Sequence, residues 1–347
     1  MKKIRSFTVS ALAALFTPFR EIFFRLSWGF MTRNGFVLCA VDTSHFDTVA
    51  DIVKMNVAAD SPVGEIIMEN IVHAPEIRLL PAEVIKGDSF PATVRTGLPT
   101  VEFREYNEGV QTGKATYKNV TVVCKPIDAR VEADKRVADN YRRGAAAWQV
   151  IKASEILEAI FRTIGRQVYY GAANSAKGFP GFIDLVDPAM EVDATGTTAN
   201  GKTSVWAVKL SPMDVSLIFG NGKLLDLNEQ WRVESIVPDP DKPTEKIDGY
   251  VNQWGGVAGM QCLNKNCIAR IKNLTDQNGK GLTLTMLYDL LEKFPTGVMP
   301  DVIFMTRHSR GQERKNRITD LVTDPPPLKD VDGVPIEVTD SISLVEA

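Results

Sequence analysis

A long extended excursion, too polar and glycine-rich to form a core of its own and followed at once by one long amphipathic helix, sets the strongest limit on how this chain can fold. The excursion runs from Thr93 to Val131 and is rich in Gly, Val and Thr. Val94, Leu98 and Val101 open it, and its return places Val120, Val122 and Cys124 on one face. Pro126 has no amide hydrogen to donate, which confines the return strand to a sheet edge. No second apolar run nearby is sufficient to bury this stretch, so it is expected to lie on a neighbouring chain, as an open strand edge invites.

The helix that follows is read from spacing. Between Gly144 and Tyr169, apolar residues fall at Val150, Ala153, Leu157, Ile160, Phe161, Ile164 and Val168, a stripe of period 3.6. Lys152, Glu155, Glu158, Arg162 and Arg166 take the other side, with Glu158 and Arg162 in the favourable i,i+4 order. No proline interrupts about 39 Å of helix at 1.5 Å per residue. Such a helix is a structural spine.

Composition narrows the function classes. The chain has 347 residues, 44% hydrophobic and 24% charged, enough for a sizeable core and a length that suggests two domains. Its net charge of -3 argues against a protein built mainly to grip a polyanion. Cys39, Cys124, Cys262 and Cys267 are scattered, and with three histidines they lack the paired spacing of a structural zinc site; they read as free, mostly buried thiols in a reducing compartment.

Met1 to Phe30 places Lys2, Lys3 and Arg5 before an apolar run from Phe7 to Phe19, but Pro18, Arg20, Glu21 and Arg25 are unlike a secretory signal. No window reaches the ~20 apolar residues of a membrane span. The segment reads as an arm that docks on a partner, a membrane-surface helix, or an extension ahead of a start at Met31.

Elsewhere, Thr48 to Glu69 predicts short helices, and Pro75, Pro81, Gly87 and Pro91 an extended, turn-rich crossing. Strands are expected at Ser204–Leu210, Ser216–Phe219, Trp231–Val237, Ala258–Leu274, Val302–Met305 and Pro335–Thr339, and helices at Leu282–Phe294 and Arg310–Leu321.

One catalytic pattern matches outright. Gly196-Thr-Thr-Ala-Asn-Gly201-Lys202-Thr203 fits the phosphate-cradling loop of nucleotide hydrolases. That chemistry needs a helix directly after the loop, whose N-terminus supplies the anion site. Here Thr203 to Leu210 alternates as a strand and Pro212 follows, so the match is read as coincidental. His308 beside Ser309 is no nucleophile and base, because adjacent side chains do not face each other. His45 and His73 read as ordinary histidines. Asp239 and Asp241 read as a solvated turn, because Pro243 stands where a calcium loop needs its next ligand. The basic groups Arg130, Lys135, Arg136, Arg142 and Arg143, and Arg307, Arg310, Arg314, Lys315 and Arg317, read as solvated faces or as partners for acidic residues of an adjacent subunit. No catalytic, cofactor-binding or metal residue is assigned.

Read in order, Val94-Arg-Thr-Gly-Leu-Pro-Thr-Val101, Tyr106-Asn-Glu-Gly-Val-Gln-Thr-Gly-Lys114, Val131-Glu-Ala-Asp-Lys135, Tyr169-Tyr-Gly171, Gly178-Phe-Pro-Gly-Phe182, Ser204-Val-Trp-Ala-Val208 and Gln253-Trp-Gly-Gly-Val-Ala-Gly259 resemble the major capsid proteins of tailed bacteriophages, in a subgroup found in some short-tailed phages. The resemblance covers Ala50 to the C-terminus; residues 1–30 have no counterpart in it.

It implies an α+β chain of the Hong Kong ninety-seven-like fold. The expected parts are an N-terminal arm and extension at 1–80, an extended loop at 81–133, a peripheral domain with the spine helix at 134–170 and 324–347, and an axial domain at 171–323. The implied function is a non-enzymatic subunit, without cofactor, that self-assembles into pentamers and hexamers of an icosahedral head. The head encloses double-stranded DNA without sequence-specific contact, and a mildly acidic wall would not impede packing. Scaffold, portal and decoration proteins are the implied partners, with no membrane; the location is the virion, assembled in the host cytoplasm. The alternatives are the shell of a bacterial cargo compartment of the same fold and a nucleotide hydrolase using the Gly196 loop.

Overall fold

The computed structural model describes residues 74–222, 231–237, 241, 244–320 and 326–346. The expected helices of Thr48 to Glu69, the segment Met1 to Phe30, and Cys39, His45, His73 and Asp239 lie outside these residues.

The described residues open with α1 (Pro75–Leu79) and β1 (Ala82–Val84), then form a hairpin of β2 (Ser89–Gly97) and β3 (Thr116–Val123). β4 (Lys125–Asp134), α2 (Lys135–Asp139) and the 26-residue α3 (Ala145–Tyr170) follow. Pro75 opens a helix where an extended crossing is expected from its sequence; at the first helical position proline's missing amide hydrogen costs nothing and its φ is already helical.

The second half runs α4 (Phe182–Leu185), β5 (Glu191–Asp193), β6 (Thr203–Val208), β7 (Val215–Phe219), β8 (Arg232–Ile236), β9 (Ile247–Cys262) and β10 (Ile268–Leu274). It ends with α5 (Leu284–Glu292), β11 (Val302–Met305), α6 (Arg307–Asp320), β12 (Asp330–Val331) and β13 (Val334–Val338). The single strand expected over Ala258–Leu274 is two, parted by a 3-10 turn at Lys265–Cys267 that Asn264 caps.

Two sheets organise these elements. One has the order β1-β7-β9-β4, with β8 also on β9; the other has the order β12-β13-β11-β6-β10-β5. β6 is buried at every position, and its alternate residues serve opposite sides. Trp206 and Val208 join the core around α3, while Val205 and Ala207 join Leu287, Leu290, Ile303 and Met305 on the side of α5. A sheet covered on both faces explains why these strands read as unbroken apolar runs.

α3 supplies the larger core with Ala153, Ile156, Leu157, Ile160, Phe161, Ile164 and Val168. It stops at Gly171, whose φ of 46° lies in the left-handed region. A side chain there would collide with Asp184 Oδ2 and the Gly181 backbone. Asp184 uses that closeness: its carboxylate accepts from the amides of Ala172 and Gly181, both at 3.0 Å. Val150 departs from the predicted stripe, since it is 36% exposed at the end of α3 that extends past the core.

Candidate assembly surfaces

The hairpin is built in two parts. At its base, Ala92, Val122 and Cys124 pack on Ile218 of β7 with Ile85, Phe90, Val257 and Leu263, so the face expected from alternation is buried, and buried in its own chain. β4, the last part of the predicted excursion, pairs with β9 over ten positions from Lys125↔Ala258 to Asp134↔Gly249. The expectation of an excursion with no partner in its own chain is therefore corrected for both ends. β9 supplies the missing partner from more than a hundred residues away, a distance no local reading spans. Pro126 does sit on an edge strand.

The middle remains unpartnered among the described residues. β2 and β3 pair from Ser89↔Val123 to Gly97↔Thr116, and residues 98–115 form no strand. There Val101 is 87%, Tyr106 99% and Phe103 108% exposed. The tip holds its shape by polar contacts. The Glu108 amide donates to the Glu105 carbonyl at 3.3 Å, Arg104 Nη1 donates to the Glu108 carbonyl at 2.8 Å, and Asn107 takes a φ of 71°. Isolated apolar residues on a surface are ordinary, but this many on one projecting loop mark a contact surface.

A second exposed surface lies where α2 meets the start of α3. Asp134 caps α2, its Oδ1 accepting from the Arg136 amide at 2.8 Å. Val137 and Tyr141 are exposed, as are Val150 and Ile151 on α3. Trp148 meets Trp231 edge-on at 5.5 Å.

Two buried carboxylates tie α1 and the C-terminal residues to the core. Glu76 in α1 is fully buried; Thr339 Oγ1 donates to it at 2.9 Å and the Ser341 hydroxyl also donates. Burial pushes its pKa above 4.5, against the lowering effect of those hydroxyls. Glu346 accepts from Tyr170 Oη at 2.6 Å and from Arg270 Nη2 at 2.9 Å, and from the Ser204 hydroxyl. Arg270 also lies 5.0 Å from the centre of the Trp206 ring. A cleft of about 450 Å³ opens beside Tyr170 and Arg270, but Glu346 and Glu191 already match the Arg270 charge.

The residues weighed as catalytic do not converge. Lys202 leads directly into β6, and the Thr203 hydroxyl, which would hold magnesium in a phosphate loop, donates to the Ser343 carbonyl at 2.9 Å. His308 Nε2 lies 2.8 Å from Asp276 Oδ1, whereas the Ser309 hydroxyl is buried against Thr306 at 2.9 Å. Hydrogen bonds from Gln312 and then His308 hold the Asp276 pKa below its ordinary value. Cys124 and Cys267 are buried and Cys262 half-buried, all three as free thiols; burial raises each pKa, that of Cys262 to about 11. Among the described residues no group of three His, Cys, Asp or Glu side chains could hold a metal, and no helix is long and apolar enough to cross a membrane.

The two basic groups differ. Arg130 pairs with Glu132, Arg317 with Glu313, Arg310 donates to the Leu328 carbonyl, and Arg314 and Lys315 are also partnered. Lys135, Arg136, Arg142 and Arg143 make no ion pair among the described residues. Sequence reasoning missed Glu76 and Glu346, and nothing local marks either: their partners lie 142 to 265 residues away, apart from Arg270.

The profile of the family described as Major capsid protein GP7 matches residues 82–347, well over half of the chain. No curated protein matches. Among solved structures, one of bacteriophage epsilon15 from cryo-EM and modelling is similar at a TM-score of 0.55 and 19% identity, over 75% of this chain and 85% of that one. The bacteriophage JBD30 capsid is similar at a TM-score of 0.45 and 11% identity, over 74% and 87%. An encapsulin from Synechococcus elongatus PCC 7942 reaches 0.38 and 10%, over 64% and 94%. The last two likenesses are too low to bear on the fold; the epsilon15 likeness supports the Hong Kong ninety-seven-like fold expected from the sequence. By the family match, this chain belongs to the Major capsid protein GP7 family and is a phage major capsid protein.

Proposed function

We propose that copies of this chain close into pentamers and hexamers of an icosahedral head around double-stranded DNA, in a virion assembled in the host cytoplasm. The observation that carries this reading is the hairpin. Its base is fixed to the subunit by Ala92, Val122 and Cys124, while its tip carries fully exposed Phe103 and Tyr106, an arrangement that spends apolar surface on a second copy. The parts follow chain order: 1–80 as arm and extension, 81–133 as extended loop, 134–170 with 324–347 as peripheral domain, and 171–323 as axial domain. The sheets cross these divisions, since β4 pairs with β9 and β13 with β11.

The role is structural and not catalytic; the strand after Lys202 and the separate partners of His308 and Ser309 support this. Scaffold, portal and decoration proteins complete the assembly. The net charge of -3 suits a DNA contact without base reading, in which the wall does not hold the polymer as it enters. Negative-stain images of the expressed protein, alone and with a scaffold, test the reading. Closed shells are expected, and a soluble monomer at all concentrations with scaffold present would exclude it. Particles loaded with a protein cargo in place of DNA would favour a compartment shell.

A further inference from the structure

We propose that Cys262 and Cys267 form a paired modification site: away from the reducing interior of a cell they close into a disulfide that staples the end of β9 to the start of β10. Three observations bring the two side chains together. The Cys262 thiol donates to the Asn264 carbonyl at 3.3 Å, and the Cys267 amide donates to the same oxygen at 3.3 Å, so one atom of the 3-10 turn is neighbour to both residues. Cys262 is the register partner of Val215, and the next amide, that of Leu263, donates to the Asp214 carbonyl at 3.2 Å. The Cys267 thiol is hydrogen-bonded to the Asp214 carboxylate, which brings it to the same place from the side of β10. A bridge needs α-carbons roughly 4.4–6.8 Å apart, a spacing that a chain turning back on itself between the two cysteines can meet.

Exposure sets the order of events. Cys262 is half-buried and Cys267 fully buried, so an oxidant reaches Cys262 first. The co-reactant is a small disulfide of the glutathione type. The Cys262 thiolate attacks one of its sulfurs and releases one glutathione, which takes up the proton that Cys262 gave away. The Cys267 sulfur then attacks Cys262 Sγ in the mixed disulfide, and the second glutathione leaves with the Cys267 proton. Two protein thiols are oxidised and one small disulfide is reduced. Burial makes the reaction slow, because only a thiolate attacks. It pushes the Cys262 thiol up to about 11 and raises Cys267 as well, with Asp214 adding to both and Lys209 opposing it at Cys267. Slow closure leaves both thiols free while the chain folds and assembles. That timing rests on the virion reading above, whereas the chemistry of the pair does not.

The test holds the full, folded chain with oxidised glutathione, quenches it with acid and maps it by mass spectrometry without reduction. A bridge between Cys262 and Cys267 is expected in free subunits and in shells alike, with Cys124 still a free thiol. Its formation should speed up about tenfold per pH unit between about pH 7 and 9, since the thiolate fraction of Cys262 rises in that proportion. The bridge should raise the melting temperature by ~2–5 °C, a gain that dithiothreitol reverses. In Cys267→Ser the reaction should halt with glutathione left on Cys262. Glutathione persisting on Cys262 of the parent, two unmodified thiols at about pH 9, or a bond from either cysteine to a different copy would overturn the pairing. A closed bridge with an unmoved melt would overturn the staple. Failure of the parent chain to form shells would leave the bridge expected as before and count against the capsid reading alone.

Discussion

Glu76 is held by two hydroxyls and no cation: the nearby Arg78 pairs with Glu337, and Asp340 and the Tyr169 phenol add no positive charge. Burial therefore dominates, and the folded protein binds the Glu76 proton more tightly than the unfolded chain does. For a raised acid the contribution to stability is complete below its ordinary pKa of 4.5 and is lost as pH rises through the folded value. Glu76→Gln keeps a carbonyl to accept from one hydroxyl and an amide to donate to the other, with no charge to bury. Above pH 6 the variant should melt at the parental temperature or higher. It should also lack the parent's gain in stability as pH falls toward 4.5, a gain limited to about 1.4 kcal/mol per pH unit. Equal pH slopes in thermal melts of parent and variant would mean that the carboxyl is ionised when folded. Gly165 belongs to the same site, since any side chain on it would meet the Glu76 carboxylate.

Elements were legible where the period was long and local. α3 runs over Ala145–Tyr170 against an expected Gly144 to Tyr169, and β11 occupies the expected Val302–Met305. Both carry their burial pattern in consecutive residues. Of β9 only the stretch from Ala258 to Cys262 was expected as strand, because Gly249, Gly255, Gly256 and Gly259 dilute its alternation; Gly259 is there because its backbone approaches Cys124 too closely for a side chain. The candidate surfaces were read from the same source with mixed success: the polar tip was visible as sequence, whereas the pairing of β4 was not. Leu157→Asp or Ile160→Asp should abolish folding, placing an unpaired charge in the core at a cost of several kcal/mol. Val150→Asp, on the same stripe but past the core, should change the melt by less than about 0.5 kcal/mol, as should Glu158→Ala. Circular dichroism melts of the four variants check this, and a folded Leu157→Asp protein would show that the stripe is not a core.

For the whole molecule, the tip and the subunit core are separable. Gly97 and Thr116 face each other across the hairpin, so residues 98–115 can be replaced by a two-residue Asn-Gly turn without disturbing the ladder. The shortened chain should melt cooperatively, near the parental temperature, and form no closed shells under electron microscopy. Normal shells from it would remove the physical argument for a tip that reaches another copy. The contact between Glu76 and Ser341 spans 265 residues, and that separation has a kinetic meaning. Closing so large a loop gains little until the sheets between its ends are in place, so Glu76→Ala is expected to speed unfolding and leave the folding rate almost unchanged, which stopped-flow kinetics of variant and parent would check. On that expectation this buried acid sets how long a native subunit lasts more than how fast it forms.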